Sequence, residues 1–222
     1  TLRQDLRQGK TVRYGTIMKQ GIAQSIRDRR RDRILETARE VFFEHGFAAS
    51  TMSMIAERLG GSKATLYAYF KNKEDLFSAI ITEQCSVIQS ALVMDDGGAD
   101  VRTTLTKLGI ELMTAIVSDQ AVRTMQLVIE EGPRNPELAR RFDEAGPQEG
   151  QARLTAYMTQ AHERGTIHAP DPAQAAAVLG GLLKGELHLR RMLGIEPEPS
   201  AERIAQEVEI AVNVFLAAYG PR

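Results

Sequence analysis

Apolar positions along this chain recur at helical spacing almost from end to end, and no alternating run is long enough to support a sheet. Ile34, Leu35, Ala38, Val41 and Phe42 form the first stripe, beginning near Asp28 and closed by Gly46, a residue type suited to a helix C-terminal cap. Thr51 then opens a short helix whose inner face holds Ile55, Ala56 and Leu59. Gly60-Gly61-Ser62 breaks the chain, and Lys63 to Phe70 predicts a third helix. Asn72 is placed to cap a fourth, with Leu76, Phe77, Ile80 and Ile81 along one side. After an Asp95-Asp96-Gly97-Gly98 loop, the pattern predicts helices over roughly 100–117, 120–131, 135–145, 147–165, 172–193 and 200–219. Pro136 after Asn135, Pro172 after Asp171 and Ser200 before Ala201 mark helix starts, while Gly146-Pro147 is expected to break or kink one long helix. The expected fold class is all-α, with about nine to ten helices in two parts.

Composition narrows this picture. A chain of 222 residues with 43% hydrophobic and 26% charged positions can fill a core and is not expected to be disordered. No stretch approaches the roughly 18 uninterrupted apolar residues of a membrane helix. The basic N-terminus lacks the apolar segment of a secretory signal. The single cysteine, Cys85, cannot form an internal disulfide, which fits a reducing cytoplasm, and its place beside an apolar stripe predicts an inert buried thiol. His45, His162, His168 and His188 have no metal-like spacing with each other or with Cys85, so neither metal nor cofactor is expected. No nucleophile elbow, phosphate-binding loop or dinucleotide glycine pattern is present, which argues against an enzyme.

Charge is divided along the chain. Residues 1–80 hold 15 Lys+Arg against 9 Asp+Glu, a net +6, whereas residues 81–222 hold 13 against 20, a net −7. A basic first third beside an acidic remainder suggests that one end meets a polyanion. Within that third, residues 51–71 meet the requirements of a helix-turn-helix. Ala56 is small enough for the crossing of its two helices, and Gly60 tolerates a left-handed turn. Ile55, Leu59, Leu66 and Phe70 face the shared core, while Gly61 stands where an apolar residue is more usual. A short helix entering the major groove presents its N-terminal side chains to base edges while flanking groups hold phosphates. Ser62 can cap it, Lys63 can donate to guanine, and Thr65 suits a base edge or a thymine methyl. Ala64 and Ala68 permit close approach, and Tyr67 and Tyr69 carry hydroxyls at a suitable radius, although successive helical positions cannot both face the groove. Thr51 caps the preceding helix, where a phosphate can meet backbone N–H groups. Among Arg27, Arg29, Arg30, Arg31 and Arg33, one or two are expected to hold phosphate, with Arg30 the representative candidate.

The run from Gly60 to Leu76, with Thr65-Leu66-Tyr67, Tyr69-Phe70 and Lys73-Glu74, resembles the signature of the TetR family of transcriptional regulators. Ile34, Ala38, Phe42, Gly46, Phe47, Thr51 and Ile55-Ala56 sit where that family places its core and caps. The resemblance implies a basic extension over 1–27, a DNA-binding domain over 28–76, and a helical effector-binding and dimerisation domain over 77–222. It implies that Lys73 holds a phosphate, and that the last two helices pair between protomers through Leu179, Leu182, Leu183, Val208, Val212 and Phe215. It also implies a homodimeric, cytoplasmic repressor that leaves double-stranded operator DNA when a small effector binds. Met113, Ile116, Met125, Ile129, Phe142, Tyr157, Met158 and His162 are the candidates to line that pocket, and Glu130 and Glu131 either form a solvated helix end or turn one carboxylate inward toward a cationic ligand. The alternative is a regulator whose C-terminal domain answers to a protein partner and has no small-molecule pocket.

Overall fold

The computed structural model describes residues 27–91 and 100–221. The expected 1–27 extension, apart from Arg27, and the 95–98 loop lie outside the described residues. Every regular element among the described residues is helical. Helix α1 covers 27–45. It is followed by α2 (Met52–Leu59), α3 (Lys63–Tyr67), α4 (Lys73–Ala91), α5 (Val101–Ile116), α6 (Asp119–Glu131) and α7 (Pro136–Asp143). A π-helical turn (Glu144–Gln148) leads into α8 (Glu149–Glu163), and α9 (Pro172–Met192) and α10 (Ala201–Tyr219) complete the chain. The chain divides into two compact units, one ending at Phe77 and the other starting at Ser78.

The first unit is built on the apolar faces of α1 to α4. Ile34, Leu35, Ala38, Val41 and Phe42 are buried together with Ile55, Leu66, Leu76 and Phe77. Phe42, Phe47 and Phe77 form a ring cluster with centroids 4.9–5.4 Å apart. Gly46 closes α1 in the left-handed region (φ 75°) and donates its N–H to the Phe42 carbonyl at 2.9 Å.

In the second unit α5, α8, α9 and α10 share one core, with Leu105, Met113, Met158, Leu179, Leu183, Val208 and Phe215 at its centre. Gly109 lets the helices approach closely, because a Cβ there would lie 2.6 Å from Val208 Cγ1 and 2.9 Å from Leu183 Cδ2. Gly146-Pro147 does not separate two helices. The π turn carries one extra residue past Pro147, so the missing N–H is absorbed without ending the helical path. A Cβ at Gly146 would lie 2.9 Å from the Cys85 sulfur, so the turn also needs a glycine where it meets α4. Helix α9 is kinked at Gly185 (φ 44°, ψ −149°), a conformation few other residues adopt.

Candidate nucleic-acid interface

Two caps and one left-handed glycine set the helix-turn-helix. Thr51 Oγ1 accepts from the Met54 N–H at 3.3 Å and starts α2. Gly60 (φ 67°) ends it, with its N–H directed to the last-turn carbonyls, and Gly61 N–H bonds to Ala56 O at 3.2 Å. Gly61 is half-buried and beside Leu59, so it makes the turn with little apolar contact. Ser62 then caps α3: its hydroxyl accepts from Thr65 N–H at 3.2 Å and lies 3.0 Å from the Thr65 hydroxyl. The Thr65 hydroxyl is therefore held by the cap, and its methyl is the part best suited to a base.

Leu66 and Phe70 point into the core, which turns the opposite side of α3 outward. That side presents Ser62, Lys63, Ala64, Tyr67 and Ala68, with Tyr67 52% exposed, while Tyr69 is half-buried. Of the two tyrosines, Tyr67 has the open position and Tyr69 packs. Arg31 on α1 lies over the Phe70 ring, 5.6 Å from its centroid, and ties α1 to the end of the recognition segment. Arg30 is exposed near the start of the described part of α1.

Lys73 has a different job from the one its position suggests. Its ammonium donates to three backbone carbonyls, Phe47 O at 2.9 Å, Ala48 O at 3.0 Å and Ser50 O at 3.3 Å. It also sits 4.5 Å from the centre of the Phe47 ring. All three donors of the ammonium are used inside the unit. The residue staples the α1–α2 loop, and with it Thr51, to the first turn of α4. Helix α4 then runs unbroken from Lys73 to Ala91, so the second unit begins within the same helix.

The expected pairing residues of α9 and α10 require correction. Leu179, Leu183, Val208, Val212 and Phe215 are buried within the single chain's own core, and Leu182 is packed against it. Five of the six are covered by the chain's own core and offer little surface to a second protomer, while half-buried Leu182 keeps part of its surface outside. The apolar residues these helices do expose are Val178, Leu189, Ile210 and Val214. Three pocket candidates move in the same way: Met113, Tyr157 and Met158 belong to the packed core, with Ile116 against it. Ile129 is 57% exposed and lines no interior. Met125 and Phe142 are half-buried, and His162 is half-buried with its Nδ1 accepting from Ala169 N–H at 3.4 Å.

Two charged groups escaped the sequence reading or were left open by it. Arg191 is buried, donating to Val117 O at 3.0 Å, Glu196 O at 2.8 Å and the Asp119 carboxylate at 2.5 Å. An arginine within the last turn of a helix reads from sequence as a solvated charge. Of Glu130 and Glu131, only Glu131 turns inward.

A capped helix-turn-helix ahead of a larger helical unit defines a DNA-binding regulator. Residues 34–80 match the family described as "Bacterial regulatory proteins, tetR family", and residues 103–221 match "AefR-like transcriptional repressor, C-terminal domain". The chain belongs to the TetR family of DNA-binding transcriptional regulators. It is 34% identical to the solved structure named Flavonoid-responsive Regulator FrrA, at a TM-score of 0.74, covering 88% of this chain and 99% of that one. It is 29% identical over 194 residues to the transcriptional regulator UidR of Escherichia coli (strain K12), covering 82% of this chain and 87% of UidR. With the regulator YhgD of Bacillus subtilis (strain 168), identity is 43% over 53 residues, 24% of this chain and 28% of YhgD. These relatives are transcriptional regulators, not enzymes. Among the described residues no helix is long and apolar enough to cross a membrane.

Proposed function

We propose that the chain is a cytoplasmic homodimeric repressor, released from a palindromic operator when a small, largely apolar effector enters its second unit. The observation that carries DNA reading is the outward side of α3, where Lys63, Ala64, Tyr67 and Ala68 stand exposed on a helix held by the Ser62 cap. Lys63 and Tyr67 make the base and phosphate contacts, with the Thr65 methyl beside them. The α2 N-terminus at Thr51 and Arg30 on α1 hold the backbone. Tyr69 supports the surface from its half-buried position.

Dimerisation uses the exposed side of α9 and α10. Val178 before the Gly185 kink of α9 and Leu189 after it are both exposed, and Ile210 and Val214 are one turn apart on α10. Gly180 and Gly181 have open space where a Cβ would stand, so a second copy can approach closely. The effector reading is supported by the likeness to FrrA, a flavonoid-responsive regulator, at 34% identity. Effector binding swings α4, Lys73 carries the α1–α2 loop with it, and the recognition helices no longer match half-sites roughly 34–36 Å apart.

Sedimentation and operator binding of the wild type and an Ile210→Glu/Val214→Glu variant test the dimer. The wild type is expected to sediment as a dimer and the variant as a folded monomer with weakened operator binding. A variant that remains a tight dimer removes this face from the proposal.

A further inference from the structure

The direction in which the recognition helix faces DNA is fixed by what it buries. At 100° per residue, buried Leu66 and Phe70 lie about 40° apart, and Ala64 and Ala68 fall within about 40° of the direction opposite to them. Ala68 closes α3 with right-handed helical backbone (φ −72°, ψ −18°), so the projection holds as far as that residue. Both alanines are exposed. Lys63 and Tyr67, also exposed, stand on one flank of this line. Half-buried Thr65 stands on the other, with its hydroxyl 3.0 Å from that of Ser62 in the cap. The part of α3 that reaches deepest into a groove therefore carries two methyl groups and no hydrogen-bonding side chain.

A major groove about 12 Å wide admits a helix about 10–12 Å across, so bases on its floor meet the side chains opposite the helix's core face. Adenine is read by the paired donor and acceptor of Asn or Gln, and cytosine by a carboxylate. The segment from Ser62 to Phe70 contains none of these residues. Lys63 reaches a guanine from the flank. What remains on the groove floor is the thymine 5-methyl, the one apolar group a base presents there, and an alanine methyl matches it. We infer that Ala64 and Ala68 read a thymine in each half-site through its 5-methyl group, by apolar contact alone. The inference rests on the DNA-reading side of α3 proposed above and names the base that its centre selects. Such a contact follows the methyl group, so 5-methylcytosine, which carries that group at the same ring position, satisfies it as well.

The probe is the duplex that the wild-type protein enriches from a random pool. Its thymines are replaced by deoxyuridine one symmetry-related pair at a time, which removes the methyl group and leaves the base pairing unchanged. One such replacement is expected to weaken binding about fifteen-fold in fluorescence anisotropy titrations, about four-fold for the methyl in each half-site. At that position 5-methylcytosine opposite guanine should bind tighter than cytosine opposite guanine by a similar factor. The thymine-to-uracil affinity ratio should shrink in Ala64→Gly or in Ala68→Gly, according to which residue lies over the base. A helix loosened by glycine lowers both affinities alike, so the ratio isolates the contact. Half-sites without thymine, a ratio of one at every thymine, or a ratio that both glycine variants leave unchanged overturns the inference while leaving α3 as the reading element. A pool in which nothing is enriched removes the reading by α3 itself, and the inference with it.

Discussion

Lys73→Met keeps the aliphatic stem of the side chain and removes only the ammonium, so it isolates the staple between α4 and the α1–α2 loop. The change deletes three hydrogen bonds of 2.9, 3.0 and 3.3 Å and a cation 4.5 Å from the Phe47 ring centre. A hydrogen bond to a charged group contributes up to about 1.5–3 kcal/mol when buried. Lys73 is only half-buried, and the three carbonyls can turn to water once it is gone. A total loss of about 2 kcal/mol is the reasonable expectation, roughly a thirty-fold shift in the folding equilibrium. Urea unfolding followed by circular dichroism reads it directly. Operator affinity should fall as well, because Thr51 loses its fixed position. The slope of log affinity against log salt should stay at the wild-type value, since no phosphate contact is lost. The reasoning is refuted if the variant unfolds at the wild-type urea concentration while its salt slope drops by about one, the signature of a deleted phosphate contact.

Three further outcomes follow from the second unit. Gly109→Ala drives a methyl into Val208 and Leu183, at 2.6 and 2.9 Å, and should lower stability by about 1–3 kcal/mol, read as a lower urea midpoint. Arg191→Met leaves the Val117 and Glu196 carbonyls without their donor and should cost about 2–4 kcal/mol, with no change in the salt dependence of DNA binding. Burial pushes the Cys85 thiol up from 9.0 to about 11, so alkylation at neutral pH should be slow until the protein is unfolded. Because the folded protein holds that proton more tightly, its stabilisation is present below pH 9 and is lost as pH rises toward 11. Cys85→Ala should flatten this alkaline decline in unfolding experiments, and an unchanged decline assigns it elsewhere.

How far the sequence could be read depended on how local the deciding interaction was. The first unit was legible because its signals are local: Thr51, Ser62 and Asn72 cap helices within three residues of themselves, and Gly60 makes its turn alone. Leu66 and Phe70 turned inward as their helical spacing required. The second unit hid more. Both sides of α9 are apolar or small, so pattern alone could not say which side the chain's own core would take. Leu179 and Leu183 went to that core, and Val178 and Leu189 stayed outside. Lys73 and Arg191 were illegible for another reason. Each ends on backbone carbonyls brought together by folding, Lys73 about 25 positions away and Arg191 on Val117, and carbonyls carry no sequence signal. Glu131 stood next to Glu130 with nothing in the sequence to separate them, and only the packing of α6 decided which would be buried.

The central claim is that the outward side of α3 reads a palindromic operator. Selection of bound sequences from a random duplex pool by the purified protein, repeated with Lys63→Ala, tests it most directly. The wild type should enrich a two-fold symmetric site with half-sites one helical turn or a multiple apart, and Lys63→Ala should relax preference at the same position in each half. A pool that shows no enrichment, or an Lys63→Ala variant that selects the unchanged site at every position, contradicts the account.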